Sequence, residues 1–269
     1  MKSAFLHERE TLKALSDFLL GSPRLSMGSQ CRSFERSFAQ FQGSKDAVLF
    51  NSGGSANLCM IQSLINLGQL KPGDKVGFSG LTWSTNVMPI IQLGLDPVPI
   101  DCNLEMLNVS LVELKKAHQE NNLKAFFATN VLGFCGDLDN IRDFCTENSI
   151  IFLEDNCEGL GSELASGKTG SFGKMASFSF FVAHHMSTIE GGMICTNDDE
   201  LGQMLRVVRA NGWDRNLTAQ QQHNWREKHA INSEFDAKYT FYDLGYNLRP
   251  TEITGFIGNY QLQFLEDNI

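Results

Sequence analysis

A three-layer α/β/α fold built on a mostly parallel, seven-stranded sheet is what the sequence predicts, on two observations. Seven short apolar runs recur along the chain, and the segments between the early runs carry apolar residues at helical spacing. Strand and helix alternating in this way imply a parallel sheet covered on both faces.

The elements follow in order. Residues 1–21, MKSAFLHERETLKALSDFLLG, are interrupted by charges every few positions and read as an amphipathic helix, not a secretory signal. The apolar runs 47–50, 75–78, 97–100 and 125–129 read as strands buried on both faces, as do 150–154, 176–180 and 193–196. Between the early runs, residues 55–67, 86–93, 111–121 and 138–148 read as helices, each with Gly or Asn close to an end. The last residues, GNYQLQFLEDNI, read as the middle of an amphipathic helix without a cap, so the C-terminus is read as truncated. The expected division is one large domain over 1–255 with an N-terminal helical arm. Residues 256–269 would then start a helix leading to a further domain.

With 269 residues, 42% of them hydrophobic and 20% charged, the chain fits a soluble globular protein with a sizeable core. A net charge of -9 argues against a nucleic-acid surface, which needs basic stripes. No apolar run approaches the roughly 20 residues that span a bilayer. The seven cysteines are scattered, odd in number and without a C-x-x-C pair. They suggest neither a disulfide framework nor a zinc ribbon, and a reducing cytoplasm suits them.

Ligands of such sheets bind at the carboxyl ends of the strands, which makes the residues just after each run site candidates. The segment NSGGSANL, with Gly54 and Ser55, lies between a strand and a helix, where N–H groups and the helix dipole receive phosphate; an ordinary turn is the alternative. Trp83 follows the second run and taken alone reads as a core tryptophan. Asp155 ends the fifth run, where a buried carboxylate is costly unless it meets a cation; a helix N-cap is the alternative. Ser179 alone is strand filling, and Asn247 with Arg249 alone is a polar loop with an arginine ion pair. Adjacent His184 and His185 point in different directions and lack a third ligand at metal spacing, so no metal site is expected.

The stretch SFSFFVAHHMSTIEGG resembles the cofactor-anchoring motif F-S-F-x-x-x-K followed by E-G-G in the DegT/DnrJ/StrS sugar aminotransferases, enzymes that use pyridoxal 5'-phosphate (PLP). Phe178, Ser179, Phe180, Glu190, Gly191 and Gly192 fit, and His184 stands where the family has lysine. The resemblance covers roughly residues 24–266 and implies the large domain of the aspartate aminotransferase type I fold, with a smaller C-terminal domain in full-length relatives. By it, Gly54 and Ser55 match the phosphate-binding S-G-T-x-A, and Trp83 takes the place of an aromatic that stacks on the pyridine ring. Asp155 in E-D-N-C-E-G-L-G would hold the protonated ring nitrogen, with Glu158 where aminotransferases often carry Gln. Ser179 would add a hydroxyl to the phosphate cup. Asn247 in Y-N-x-R would reach the phosphate of the neighbouring subunit, which implies a homodimer with shared sites.

Only a lysine amine holds PLP as an internal Schiff base, so here the cofactor would be held without a covalent bond. A small branch of the family has the same His-His pair, and its members remove the 3-hydroxyl of nucleotide-linked 4-keto-6-deoxyhexoses. The resemblance thus implies pyridoxamine 5'-phosphate (PMP) as the working cofactor and His184 as the acid/base. The amine would be restored by L-glutamate, or the intermediate passed to a separate reductase. A sugar-nucleotide aminotransferase and a non-catalytic truncated homologue are the alternatives. Lys168 and Lys174 lie too far upstream to replace position 184.

Overall fold

A computed structural model describes residues 4–269 of the chain. The first helix, α1, is Glu8–Gly21; residues 1–3 of the expected N-terminal helix lie outside the described residues. Then follow α2 (Ser29–Gln42), β1 (Asp46–Phe50), α3 (Gly53–Asn66), β2 (Lys75–Ser79), α4 (Ser84–Gln92), β3 (Asp96–Ile100) and α5 (Leu111–Asn121). The middle of the chain gives β4 (Ala125–Thr129), α6 (Leu138–Glu147), β5 (Ile151–Asp155), the small hairpin β6 (Glu163–Leu164) and β7 (Gly167–Lys168), β8 (Met175–Ser179) and β9 (Gly192–Thr196). The last helices are α7 (Asp199–Arg209), α8 (Ala219–Lys228), α9 (Glu234–Ala237) and α10 (Glu252–Leu262).

All seven apolar runs are strands of one sheet, in the order β1-β9-β8-β5-β4-β2-β3. Strand β9 runs antiparallel to both of its neighbours, while the pairs β8–β5, β5–β4, β4–β2 and β2–β3 are parallel. Period-2 alternation splits the strand residues between two cores. Val48, Phe127, Leu153 and Ile194 meet Met60 and Leu64 of α3 and Leu205 and Val208 of α7 on one face. On the other face Leu49, Phe178 and Met193 meet Phe34 and Phe38 of α2, and Phe126 and Phe152 meet Leu114 of α5 and Ile141 of α6.

Two expectations need correction. The run at 97–100 is not buried on both faces: β3 is a sheet edge, and of its five residues only Ile100 is fully buried. Pro97 and Pro99, two apart, leave their missing donors on the same side, which suits an unpaired edge and blunts it. The C-terminal residues are not the middle of one helix either. Thr251 caps α10 by accepting the Thr254 N–H, so the helix begins before position 256; it ends at Leu262, and a 3-10 turn buries Leu265.

The start of α2 is capped by a residue 221 to 224 positions away. Gly28 has no side chain to cap with, and Glu252 of α10 accepts the N–H groups of Gly28, Gln30 and Cys31 at 2.8, 2.9 and 3.0 Å. A carboxylate here also meets the positive end of the helix dipole. Burial pushes the Glu252 carboxyl up, but the hydrogen bonds from Gln30, Cys31 and Gly28 prevail and hold it below the usual carboxylate range. A depressed folded-state value means the stabilisation is present above the unfolded value of about 4.3 and is lost as pH falls through the folded one. Glu252→Gln is therefore expected to cost about 1–2 kcal/mol at pH 7 in urea unfolding, a deficit that shrinks on acidification. A deficit that is constant from pH 7 to pH 3 would mean the charge is not what matters.

Candidate active site

The carboxyl ends of the parallel strands, with the loops that follow them, enclose a cavity of about 650 Å³. Its wall is made by the start of α3, the 81–85 turn, the ends of β4 and β5, and the segment after β8. Gly54, Trp83, Asp155, Glu158, Ser179 and His184 all line it, although they come from separate stretches of the chain.

At one end the chain turns from β1 into α3. Ser52 is the N-cap: its Oγ accepts the Ser55 N–H at 3.1 Å and lies 2.9 Å from Ser55 Oγ. The Ser55 side chain is thus turned to Ser52 and does not line the cavity, whereas Gly53 and Gly54 do. Gly53 has no room for a side chain, since a Cβ would stand 2.8 Å from Ser179 Cβ on β8. Ser179 Oγ accepts the Phe181 N–H at 3.3 Å and sits beside this helix start. Small residues, free N–H groups at a helix N-terminus and a neighbouring hydroxyl form an anion cradle.

Asp155 closes β5 with only 5% of its surface exposed. Its Oδ2 accepts from Asn57 Nδ2 at 3.0 Å and its Oδ1 from the Cys157 N–H at 3.0 Å. Both donors are neutral, so the buried charge has room for a cationic partner and no such partner in its hydrogen bonds. The N-cap alternative fails because the next element is the β6–β7 hairpin, not a helix. Trp83 is no core residue: it precedes α4, is 72% exposed, and offers its ring to the cavity.

His184 lies in a turn closed by its own N–H, which donates to Phe181 O at 3.0 Å. Burial pulls its pKa down from the ordinary 6.5, against the opposing pull of the Glu158 and Asp155 carboxylates. A neutral imidazole able to accept a proton is the result at neutral pH. His185 points elsewhere; its Nδ1 is buried without a partner and its carbonyl accepts from Asn268 Nδ2 at 2.6 Å. Glu158 Oε2 accepts the Leu132 N–H at 2.8 Å and so fixes Leu132, whose φ of 51° is left-handed, at the cavity wall.

Among the described residues no lysine lines this cavity. Lys168 donates to Phe41 O at 2.7 Å, and Lys174 pairs with Asp198 at 3.5 Å. Asn247 is exposed and outside the cavity of its own chain, and it accepts from Arg249 Nε at 3.0 Å. Sequence reasoning missed Asn57, Thr85 and Phe181. An amide inside the apolar stretch of α3 was a signal for the first; the other two had none.

A sequence model described as the DegT/DnrJ/EryC1/StrS aminotransferase family matches residues 7–269. The GDP-4-keto-6-deoxy-D-mannose 3-dehydratase of Yersinia pseudotuberculosis is 38% identical over 249 residues, 92% of this chain and 62% of that protein. The dTDP-4-dehydro-2,6-dideoxy-D-glucose 3-dehydratase of Saccharopolyspora spinosa is 34% identical over 89% of this chain and 54% of that protein. A solved structure of GDP-4-keto-6-deoxymannose-3-dehydratase with a trapped PLP-glutamate geminal diamine superposes with a TM-score of 0.87 at 36% identity, over 95% of this chain and 66% of that one. The chain therefore spans less than two thirds of the length of these relatives.

Proposed function

Because the chain belongs to the DegT/DnrJ/EryC1/StrS aminotransferase family, we propose that it is a PMP/PLP-dependent dehydratase. It would remove the C3 hydroxyl of a nucleotide-linked 4-keto-6-deoxyhexose in deoxysugar biosynthesis of the lipopolysaccharide type. One observation carries the reading: the cavity holds Asp155 and His184, with histidine at the motif's lysine position and no lysine in the wall among the described residues.

The residues suit a phosphorylated pyridine. The Asp155 carboxylate, bonded only to neutral donors, would hold the protonated ring nitrogen. Gly54 at the start of α3, with Ser179 beside it, would take the phosphate, and Ser55 would join them only by turning its hydroxyl away from Ser52. Trp83 would cover the ring face, and Glu158 would stand at the cofactor's edge. When bound, the cofactor supplies an amine for the C4 carbonyl and an electron sink that lets the C3 hydroxyl depart. His184 would be the residue that moves protons there, accepting one from the cofactor's methylene carbon and giving one to the C3 oxygen. Lacking a primary amine, His184 would not tether the cofactor.

Exposed Asn247, outside its own cavity, suits a contribution to a neighbouring subunit, so a homodimer with shared sites is part of the proposal. L-Glutamate is the proposed amine donor, supported by the PLP-glutamate adduct trapped in the relative; a separate reductase is the other route. No helix among the described residues is long and apolar enough to cross a membrane. The seven free cysteines suit a cytoplasmic setting.

Borohydride reduction of the PLP-treated protein, followed by peptide mass analysis, tests the attachment. Every lysine should remain unmodified while dialysis removes the cofactor. A pyridoxyl-lysine at stoichiometric yield would sink the dehydratase and restore the aminotransferase. Absence of any cofactor binding would leave a non-catalytic homologue.

A further inference from the structure

Asn57 lies in α3 with no surface exposed, flanked by Ala56 and Met60 of the apolar core. Its Nδ2 donates to Asp155 Oδ2 at 3.0 Å and reaches Thr85 Oγ1 at 3.4 Å. Its Oδ1 is buried and has no hydrogen-bond partner. Turning the amide over would set that oxygen against the carboxylate, acceptor on acceptor, so the donor-inward orientation is the one the site enforces. A buried acceptor without a donor is a cost to the fold, and an apolar side chain of similar volume would avoid it. What the amide gives in return is the bond to Asp155.

Thr85 extends the connection. It stands in the first turn of α4, two residues after Trp83, and its Cγ2 lies 3.1 Å from where a Cβ on Gly54 would be. The start of α3, the strand end with Asp155 and the turn with Trp83 thus meet around one amide.

We propose that Asn57 is a positioning residue that holds the Asp155 carboxylate in its cavity-facing orientation and ties it to the Trp83 turn through Thr85. Asn57 itself is not among the residues lining the cavity; it acts through Asp155. The inference rests on the cofactor reading of the site given above.

The test uses the full chain and its Asn57→Leu, Asn57→Asp and Asp155→Ala variants. PMP and PLP dissociation constants are measured by fluorescence titration, and the induced circular dichroism of the cofactor's absorption band reports how firmly the ring is oriented. Asn57→Leu is expected to unfold thermally no earlier than the parent. Its PMP affinity should fall about tenfold, the order of one hydrogen bond to a charged group, and its induced band should weaken. Asn57→Asp has nearly the same shape but places a second carboxyl against Asp155; its affinity should fall at pH 8, where both are charged and repel, and recover as acid adds the one proton the two share, which leaves one carboxylate for the ring nitrogen.

Parent-like affinity and an unchanged band in Asn57→Leu, with binding lost in Asp155→Ala, would overturn the role of Asn57 and leave the cofactor site standing. No binding by the parent, with Asp155→Ala silent, would overturn both. Should the leucine variant fail to fold, the aspartate variant decides: affinity equal to the parent's at every pH overturns the proposal.

Discussion

His184→Asn is expected to slow C3 deoxygenation by about 10²–10⁴-fold, the usual contribution of general acid–base catalysis, while PMP affinity stays nearly unchanged. Asparagine keeps much of the imidazole's volume and cannot shuttle a proton. The pH profile gives a second readout. Burial lowers the His184 pKa below the ordinary 6.5, so the neutral base is already populated at pH 7 and the acid limb of kcat/KM should lie below 6.5. That limb should disappear in the variant. Dehydration at the parent rate would show that His184 is not the base. His184→Lys, in turn, should attach the cofactor covalently and shift the product toward the 4-amino sugar.

Asp155→Ala is expected to loosen PLP and PMP by roughly 10²-fold or more, since a buried cation left without its partner costs about 3–5 kcal/mol. The fold should persist, because Asp155 has no ion-pair partner among the described residues to abandon; its two hydrogen-bond donors are Asn57 and the Cys157 N–H. Equilibrium dialysis measures the affinity and circular dichroism the fold. Retained affinity would mean that the ring nitrogen lies elsewhere, and the motif alignment that places Asp155 would fall with it.

Much of the site was legible because strand ends converge. In a parallel sheet the residues after successive strands share one end, so Gly54, Asp155 and His184 could be grouped from order alone, before any distance was known. Trp83 shows the limit of composition: a large apolar ring reads as core, and its exposure follows from its place before α4 at the cavity wall. Ser55 shows the limit of motif: it was expected to face a phosphate, but its N–H donates to the Ser52 cap and its hydroxyl is turned toward Ser52 as well. Strand β3 was misread because apolar content does not distinguish an edge from a centre; its two prolines were the available signal.

By itself the sequence determined the seven strands, the helices between the early ones, and the histidine that replaces a lysine, because periodicity and motif are properties of neighbouring residues. Tertiary structure alone decided which polar groups meet across the chain. Asn57 finds Asp155 98 positions away, Glu252 caps a helix whose N-cap, Gly28, lies 224 positions earlier, and the buried Arg209 pairs with Glu35 174 positions away at 2.6 Å. Such pairs leave no local pattern. Burial makes each partner obligatory, since an unpaired polar group in a dry interior is costly, but only the folded packing says which partner it is.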